Sequence, residues 1–287
     1  MGTILLPVDF SDETKTAIDF GFEIAKRSGS DLVLLHSFHD QLYFSDGGFS
    51  TGFESNVMVT DEIISDFYKQ KKKNIEELKE ALLARGKEAG WPGIKVETVM
   101  ETGDPEYQIP EAAEKIEPDL IVMTSTGIGK NFLLAGSVAR KVMDSGVAPV
   151  LAIPKNTEYK EIRNVAYMTE FEETDVEVLK KLFDLLNAYK PNVYVVHLNV
   201  EAKDPDAMQR MQNLLDHEDV KEYTIQLIAQ VIECEKPQRT IEGYVKAKNI
   251  DMICIVPHKR NLFKQIFSGD LTKKDLFQTN IPLLGIQ

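Results

Sequence analysis

The sequence predicts an α/β protein made of two tandem domains, each a five-stranded parallel sheet with helices on both faces. Three observations carry this. Continuous apolar runs such as Leu32-Val33-Leu34-Leu35 and Val193-Tyr194-Val195-Val196 have the pattern of strands buried on both faces. Segments of helical period stand between such runs. The same succession of features then occurs twice, in the same order and at near-equal spacing.

In the first half, Ile4-Leu5-Leu6-Pro7-Val8 is an apolar strand that ends in Asp9 and Phe10. Thr14–Arg27 places Ala17, Ile18, Phe22, Ile24 and Ala25 near one face, with Gly29 as the C-cap. The strand Leu32–His36 follows. A long helix over Asp61–Arg85, a strand over Ile94–Val99 and a helix over Pro105–Ile116 come next. Asp119–Met123 is a strand, Val138–Asp144 a helix and Val150–Ile153 the closing strand. This strict alternation calls for parallel strands joined by crossover helices. The stretch Asp40–Thr60, with glycine, serine and spaced aromatics, reads either as a functional lid or as a plain connection.

The second half repeats the order: Val165–Met168, a helix over Asp175–Tyr189, a strand over Val193–Leu198 and a shorter helix over Asp206–Asp216. A strand over Tyr223–Ile228, a helix over Thr240–Lys248 and strands over Asp251–Val256 and Leu283–Ile286 complete it. Spacing supports a duplication. Asp9 to His36 and Glu170 to His197 are each 27 positions; Asp119 to Pro149 is 30 and Asp251 to Pro282 is 31. The domains are expected at 1–154 and 162–287, joined by the charged linker Lys155–Glu161.

At 287 residues, with 43% hydrophobic and 28% charged residues, the chain is long enough for two cores. A net charge of -13 repels a phosphate backbone, so no nucleic-acid partner is expected. No segment reaches the roughly 20 apolar residues that span a membrane. The opening residues lack the features of a signal peptide, and Cys234 and Cys254 stand apart among apolar neighbours. A cytoplasmic protein without a membrane partner is the expectation.

In an open parallel sheet, ligands bind beyond the carboxyl ends of the strands where strand order reverses. Asp9 follows the first strand, and His36-Ser37 end the second. After Met123 comes a loop from Thr124 to Val138. Gly127 and Gly129 allow a tight turn and a close ligand approach, Gly136-Ser137 opens a helix whose free N–H groups favour phosphate, and Thr124, Ser125 and Ser137 supply hydroxyls. The plain alternatives stay open: Asp9 and Ser137 as helix caps, the glycines as ordinary loop residues, His36 as a structural histidine. His36 and His39 lack the further ligand a metal site requires.

Leu6-Pro7-Val8-Asp9-Phe10-Ser11, Leu34-Leu35-His36, Gly103-Asp104-Pro105, Val122-Met123-Thr124-Ser125-Thr126-Gly127, Gly136-Ser137-Val138 and Ala148-Pro149-Val150-Leu151 together resemble the universal stress protein family. The resemblance extends over both halves and implies a tandem member packed as a pseudo-dimer, with Val150–Ile153 and Leu283–Ile286 meeting at the junction. It implies that Asp9 faces an adenine, that His36 and Ser37 border the base pocket, and that Gly127, Gly136, Ser137 and Val138 hold ribose and phosphates. ATP or AMP is the implied ligand, with Mg2+ only alongside ATP. The family's loop pattern is Gly-x2-Gly-x9-Gly-Ser/Thr. Here Thr124 stands at the first glycine, and eight residues separate Gly127 from Gly136.

The second half departs further. Glu170 replaces the aspartate, Pro257 removes a backbone donor, and Gly269-Asp270 puts a carboxylate where a phosphate would sit. Lys259 and Arg260 read as a solvated basic turn. The chain lacks a Walker Gly-Lys-Ser/Thr, a Gly-x-Ser-x-Gly elbow and His-Glu-x-x-His. The expectation is therefore a non-enzymatic stress-response protein that binds a nucleotide in its first domain, with a homodimer or a protein as possible partner. The alternative is a nucleotide-free regulatory or interaction module with both sites lost.

Overall fold

The computed structural model describes residues 2–38, 61–125, 137–155, 157–223, 226–257 and 281–287. The chain opens with β1 (Thr3–Pro7), α1 (Asp12–Ser28) and β2 (Asp31–Phe38). Then come α2 (Asp61–Glu88), β3 (Val96–Thr102), α3 (Pro105–Ile116), β4 (Leu120–Thr124), α4 (Ser137–Ser145) and β5 (Val150–Ile153). The second half holds β6 (Asn164–Met168), α5 (Asp175–Leu186), β7 (Asn192–Val200), α6 (Ala207–Leu215) and α7 (Glu218–Lys221). It ends with β8 (Gln226–Cys234), α8 (Pro237–Lys248), β9 (Met252–Ile255) and β10 (Leu283–Gly285).

These strands form one ten-stranded sheet in the order β3-β2-β1-β4-β5-β10-β9-β6-β7-β8. The order is palindromic: each half is a five-stranded parallel sheet, and the two join through an antiparallel β5–β10 pair with Leu151 opposite Leu284. The chain is thus packed as a pseudo-dimer of two α/β units. Pairing of the last strands at the junction, implied by the family resemblance, is what the structure has.

Alternation along each strand divides the cores. Ile4 and Leu6 of β1 and Leu32 and Leu34 of β2 face α1 and α2, whereas Leu5, Val33 and Leu35 face α3 and α4. In the second half, α8 covers the face that carries Ala166, Met168 and Val196. The α1 and α5 faces merge into one cluster that includes Leu151 and Ile153 of β5, Ile162 just after the linker, and Leu284 and Ile286. Arg27 adds a polar clasp across the junction. Its Nε donates to the Ala188 carbonyl at 3.1 Å, its guanidinium pairs with Glu161, and it lies 4.9 Å over the Tyr189 ring.

Local chemistry accounts for the element ends. Ser11 caps α1 by accepting from Thr14 N–H, Asp12 and Glu13 occupy the first turn, and Gly29 closes the helix at φ 72°. Several boundaries differ from the sequence expectation: β2, β3 and β7 run on to Phe38, Thr102 and Val200, and three further differences have a local cause. α5 stops at Leu186, because Tyr189 and Lys190 both donate to the Leu186 carbonyl and Lys190 takes a positive φ before Pro191. α8 starts at Pro237, since proline suits the first helical turn. β8 runs Gln226–Cys234, not Tyr223–Ile228, because it pairs with β7 along its whole length. The short α7 precedes it, a helix that the apolar pattern does not signal.

Candidate functional site

The strand order turns outward at β1 and β4, which lie side by side while their crossovers lead to opposite sides of the sheet. The crevice above their carboxyl ends is the topological switch point of the first half. Asp9 stands on its β1 side; Thr124 and Ser125 stand on its β4 side, where Ser125 N–H donates to the Ile153 carbonyl at 2.8 Å. α4 begins at Ser137, so the Ser137-Val138 backbone forms a helix N-terminus. Gly127, Gly129 and Gly136 lie outside the described residues, as do the 40–60 stretch and, in the second half, Lys259, Arg260, Gly269 and Asp270.

Asp9 is held rigidly. Its Oδ1 accepts from Ser11 N–H at 2.9 Å, from Ser11 Oγ at 2.7 Å and from Thr14 Oγ1. Partial burial pushes the Asp9 carboxyl up, but these hydrogen bonds outweigh it and bring the pKa below the usual 3.8. The bonds from Ser11 and Thr14 all go to Oδ1, none to Oδ2. Asp9 therefore supports the helix cap with one oxygen and leaves the other as an acceptor at the crevice.

Phe10 follows at φ 62°, and this left-handed turn lays its ring 4.6 Å from the ring of His36. His36 is buried, and its Nδ1 lies 2.7 Å from the Val8 carbonyl. A carbonyl only accepts, so Nδ1 carries the hydrogen and Nε2 carries the lone pair. Nε2 is buried with no partner among the described residues. Burial lowers the His36 pKa below 6.5, opposed by the Val8 carbonyl, assisted by Lys71 and opposed by Asp9. Lys71 of α2 lies 5.3 Å over the Phe10 ring. Ser37 turns elsewhere: its hydroxyl donates to the Gly103 carbonyl at 2.9 Å and ties the end of β2 to the β3–α3 loop. Asp104 in that loop caps α3 through Glu106 N–H.

The second half reproduces the frame and changes the chemistry. Phe171 is again left-handed at φ 59°, its ring is 4.4 Å from that of His197, and His197 Nδ1 donates to the Thr169 carbonyl at 3.0 Å. The organising carboxylate is now Asp175, at the position of Thr14. It accepts from the Tyr167 hydroxyl at 2.7 Å, from the Thr169 hydroxyl and from Glu172 N–H at 2.9 Å, and it is buried. Arg210 of α6 then covers the end of β6. Its NH2 nitrogen lies 3.3 Å from the Glu170 carbonyl and 3.2 Å from the Phe171 carbonyl, its other terminal nitrogen pairs with Asp204, and it stacks 4.9 Å over Phe171. Sequence comparison of the halves aligns Asp9 with Glu170 and misses both substitutes. Arg210 lies 40 positions from Glu170 and has no counterpart motif to signal it.

A cavity of about 280 Å³ lies between the halves, with Phe20, Leu151, Ile162 and Met252 among its walls; it shares no lining residue with the switch point. Among the described residues no cluster of His, Cys, Asp or Glu is arranged to hold a metal. No described helix is long and apolar enough to cross a membrane.

The model of the universal stress protein family matches residues 1–154, more than half of the chain. The chain belongs to the universal stress protein family. A universal stress protein of Methanocaldococcus jannaschii is 34% identical over 153 residues, covering 53% of this chain and 81% of that one. One from Bacillus subtilis is 31% identical over 152 residues, covering 52% of this chain and 97% of that one. A universal stress protein from Archaeoglobus fulgidus has the same fold over 99% of this chain and 98% of its own, at a TM-score of 0.70 and 16% identity. The universal stress protein fold therefore extends through the second half, beyond the residues that the family model matches.

Proposed function

We propose that the first half, residues 1–154, binds an adenine nucleotide across the β1/β4 switch point, and that the second half, 162–287, serves as its built-in dimer partner. The observation that carries this reading is Asp9, an ionised carboxylate fixed by Ser11 and Thr14 with one oxygen left for a ligand. The exocyclic amine of adenine is the donor such an acceptor suits. The base would lie toward Phe10 and His36, and the phosphates toward the Thr124–Ser137 loop and the α4 N-terminus, where free N–H groups and the helix dipole favour anions. ATP and AMP both meet these demands; Mg2+ would accompany ATP alone. In the second half Arg210 occupies the carbonyls at the β6 end, and no ligand site is assigned there. The role is non-enzymatic, in the cytoplasmic stress response.

Thermal unfolding with ATP, ADP and AMP, with and without Mg2+, tests the reading. A ligand selective for the native state at one hundred times its Kd adds about 2.7 kcal/mol. Asp9→Asn keeps an acceptor for the α1 cap but places an NH2 donor against the adenine amine. It is expected to weaken binding about tenfold, the value of one charge-assisted hydrogen bond. Absence of any shift at millimolar nucleotide would leave the chain as a nucleotide-free interaction module. Ser37 favours that second reading, because its hydroxyl is already engaged by Gly103.

A further inference from the structure

The pseudo-dimer junction uses β5 and β10, and among the described residues β3 and β8 are the outermost strands of the ten-stranded sheet. An outermost strand presents backbone N–H and C=O groups along its free edge, and proteins ordinarily guard such edges with charge. β3 is guarded. Its sequence Val96-Glu97-Thr98-Val99-Met100-Glu101-Thr102, paired antiparallel with a copy of itself about Val99, sets Glu97 opposite Glu101 twice. β8 lacks this guard. Leu227-Ile228-Ala229-Gln230-Val231-Ile232 is six residues without charge, proline or glycine, and Leu227, Ile228, Val231 and Ile232 are only partly buried.

The strand is also self-complementary. Antiparallel pairing of two copies about Gln230 overlaps all nine residues. Ile228 then faces Ile232 on one side of the sheet, while Ala229 faces Val231 and Leu227 faces Glu233 on the other. No like charges meet. We propose that β8 is a homodimer interface, at which two copies of this chain join their sheets by antiparallel β8–β8 pairing on a twofold axis through Gln230. The contact combines a new backbone ladder with β-branched cross-strand pairs, the two sources of affinity in strand addition.

Gln230 offers a test that leaves the monomer nearly untouched, since among the described residues its side chain bonds only to the neighbouring Ala229 carbonyl. On the twofold axis it faces itself. Gln230→Glu and Gln230→Lys in the full-length chain each bring like charges together in the dimer. Sedimentation analysis should show each variant dimerising about tenfold or more weakly than the wild type, and an equimolar mixture of the two dimerising again. In the wild type, amide exchange at Leu227–Ile232 should slow as protein concentration rises, a readout that needs no variant. A wild type that stays monomeric, a dimer indifferent to both substitutions, a mixture that does not reassociate, or protection confined to β3 would each overturn the proposal.

Discussion

The carboxylate that organises the turn after the opening strand is Asp9 in one half and Asp175 in the other, and the two differ in exposure: Asp9 is exposed, Asp175 buried. Asp9 keeps one oxygen at the crevice, whereas Asp175 spends both on Tyr167, Thr169 and Glu172. The histidine and phenylalanine beside them are common to both halves and belong to the frame. His36 carries a prediction. Burial first, then Lys71, holds its folded pKa below 6.5 against the Val8 carbonyl and Asp9, so the unfolded chain takes up the proton earlier on acidification. Stability from the neutral ring is complete above 6.5 and is lost as pH falls toward the folded value. Urea midpoints of wild type and His36→Gln across this range should show a shallower decline in the variant; equal slopes would mean that His36 titrates normally.

Packing of α1 on β1 depends on Gly21, where an added Cβ would run into both δ carbons of the buried Leu6. Alanine at this position improves helix propensity by about 1 kcal/mol, yet overpacking a close contact costs about 1–3 kcal/mol. Gly21→Ala is therefore expected to destabilise by about 1 kcal/mol. Combining it with Leu6→Val, which shortens the obstructing side chain, should recover part of the loss. Denaturant unfolding of the four-member cycle measures the coupling; strict additivity would count against a direct clash. This contact lies outside what periodicity reveals, since helical spacing marks the buried face of α1 but not the distance at which it settles on the sheet. The β8 boundary shows the same thing from the other side. Its apolar residues are visible in the sequence, but its length follows from pairing with β7.

The two halves share one core along the α1 and α5 face, and the β5–β10 pair, the linker and the Arg27 clasp all cross the junction. Residues 1–154 expressed alone would uncover Leu151 and Ile153, both buried here, together with the free edge of β5. Such a fragment is expected to self-associate through β5, restoring with a second copy what β10 supplies in the intact chain. Sedimentation of the fragment checks this, and a soluble monomer at high concentration would refute it.

The alternation of strands and helices, the doubling of the fold and the location of Asp9 and Thr124 at strand ends were legible in the sequence alone, whereas β2 runs past His36 to Phe38 through its pairing with β3. They rest on local periodicity, turn chemistry and spacing, all of which act over short stretches of chain. The tertiary structure decided the palindromic strand order, the half-engaged state of Asp9, the diversion of Ser37 to Gly103, the covering of the β6 end by Arg210 and the open edge at β8. Each depends on groups brought together from separate elements, where packing and hydrogen-bond geometry choose among partners that sequence spacing treats as equivalent.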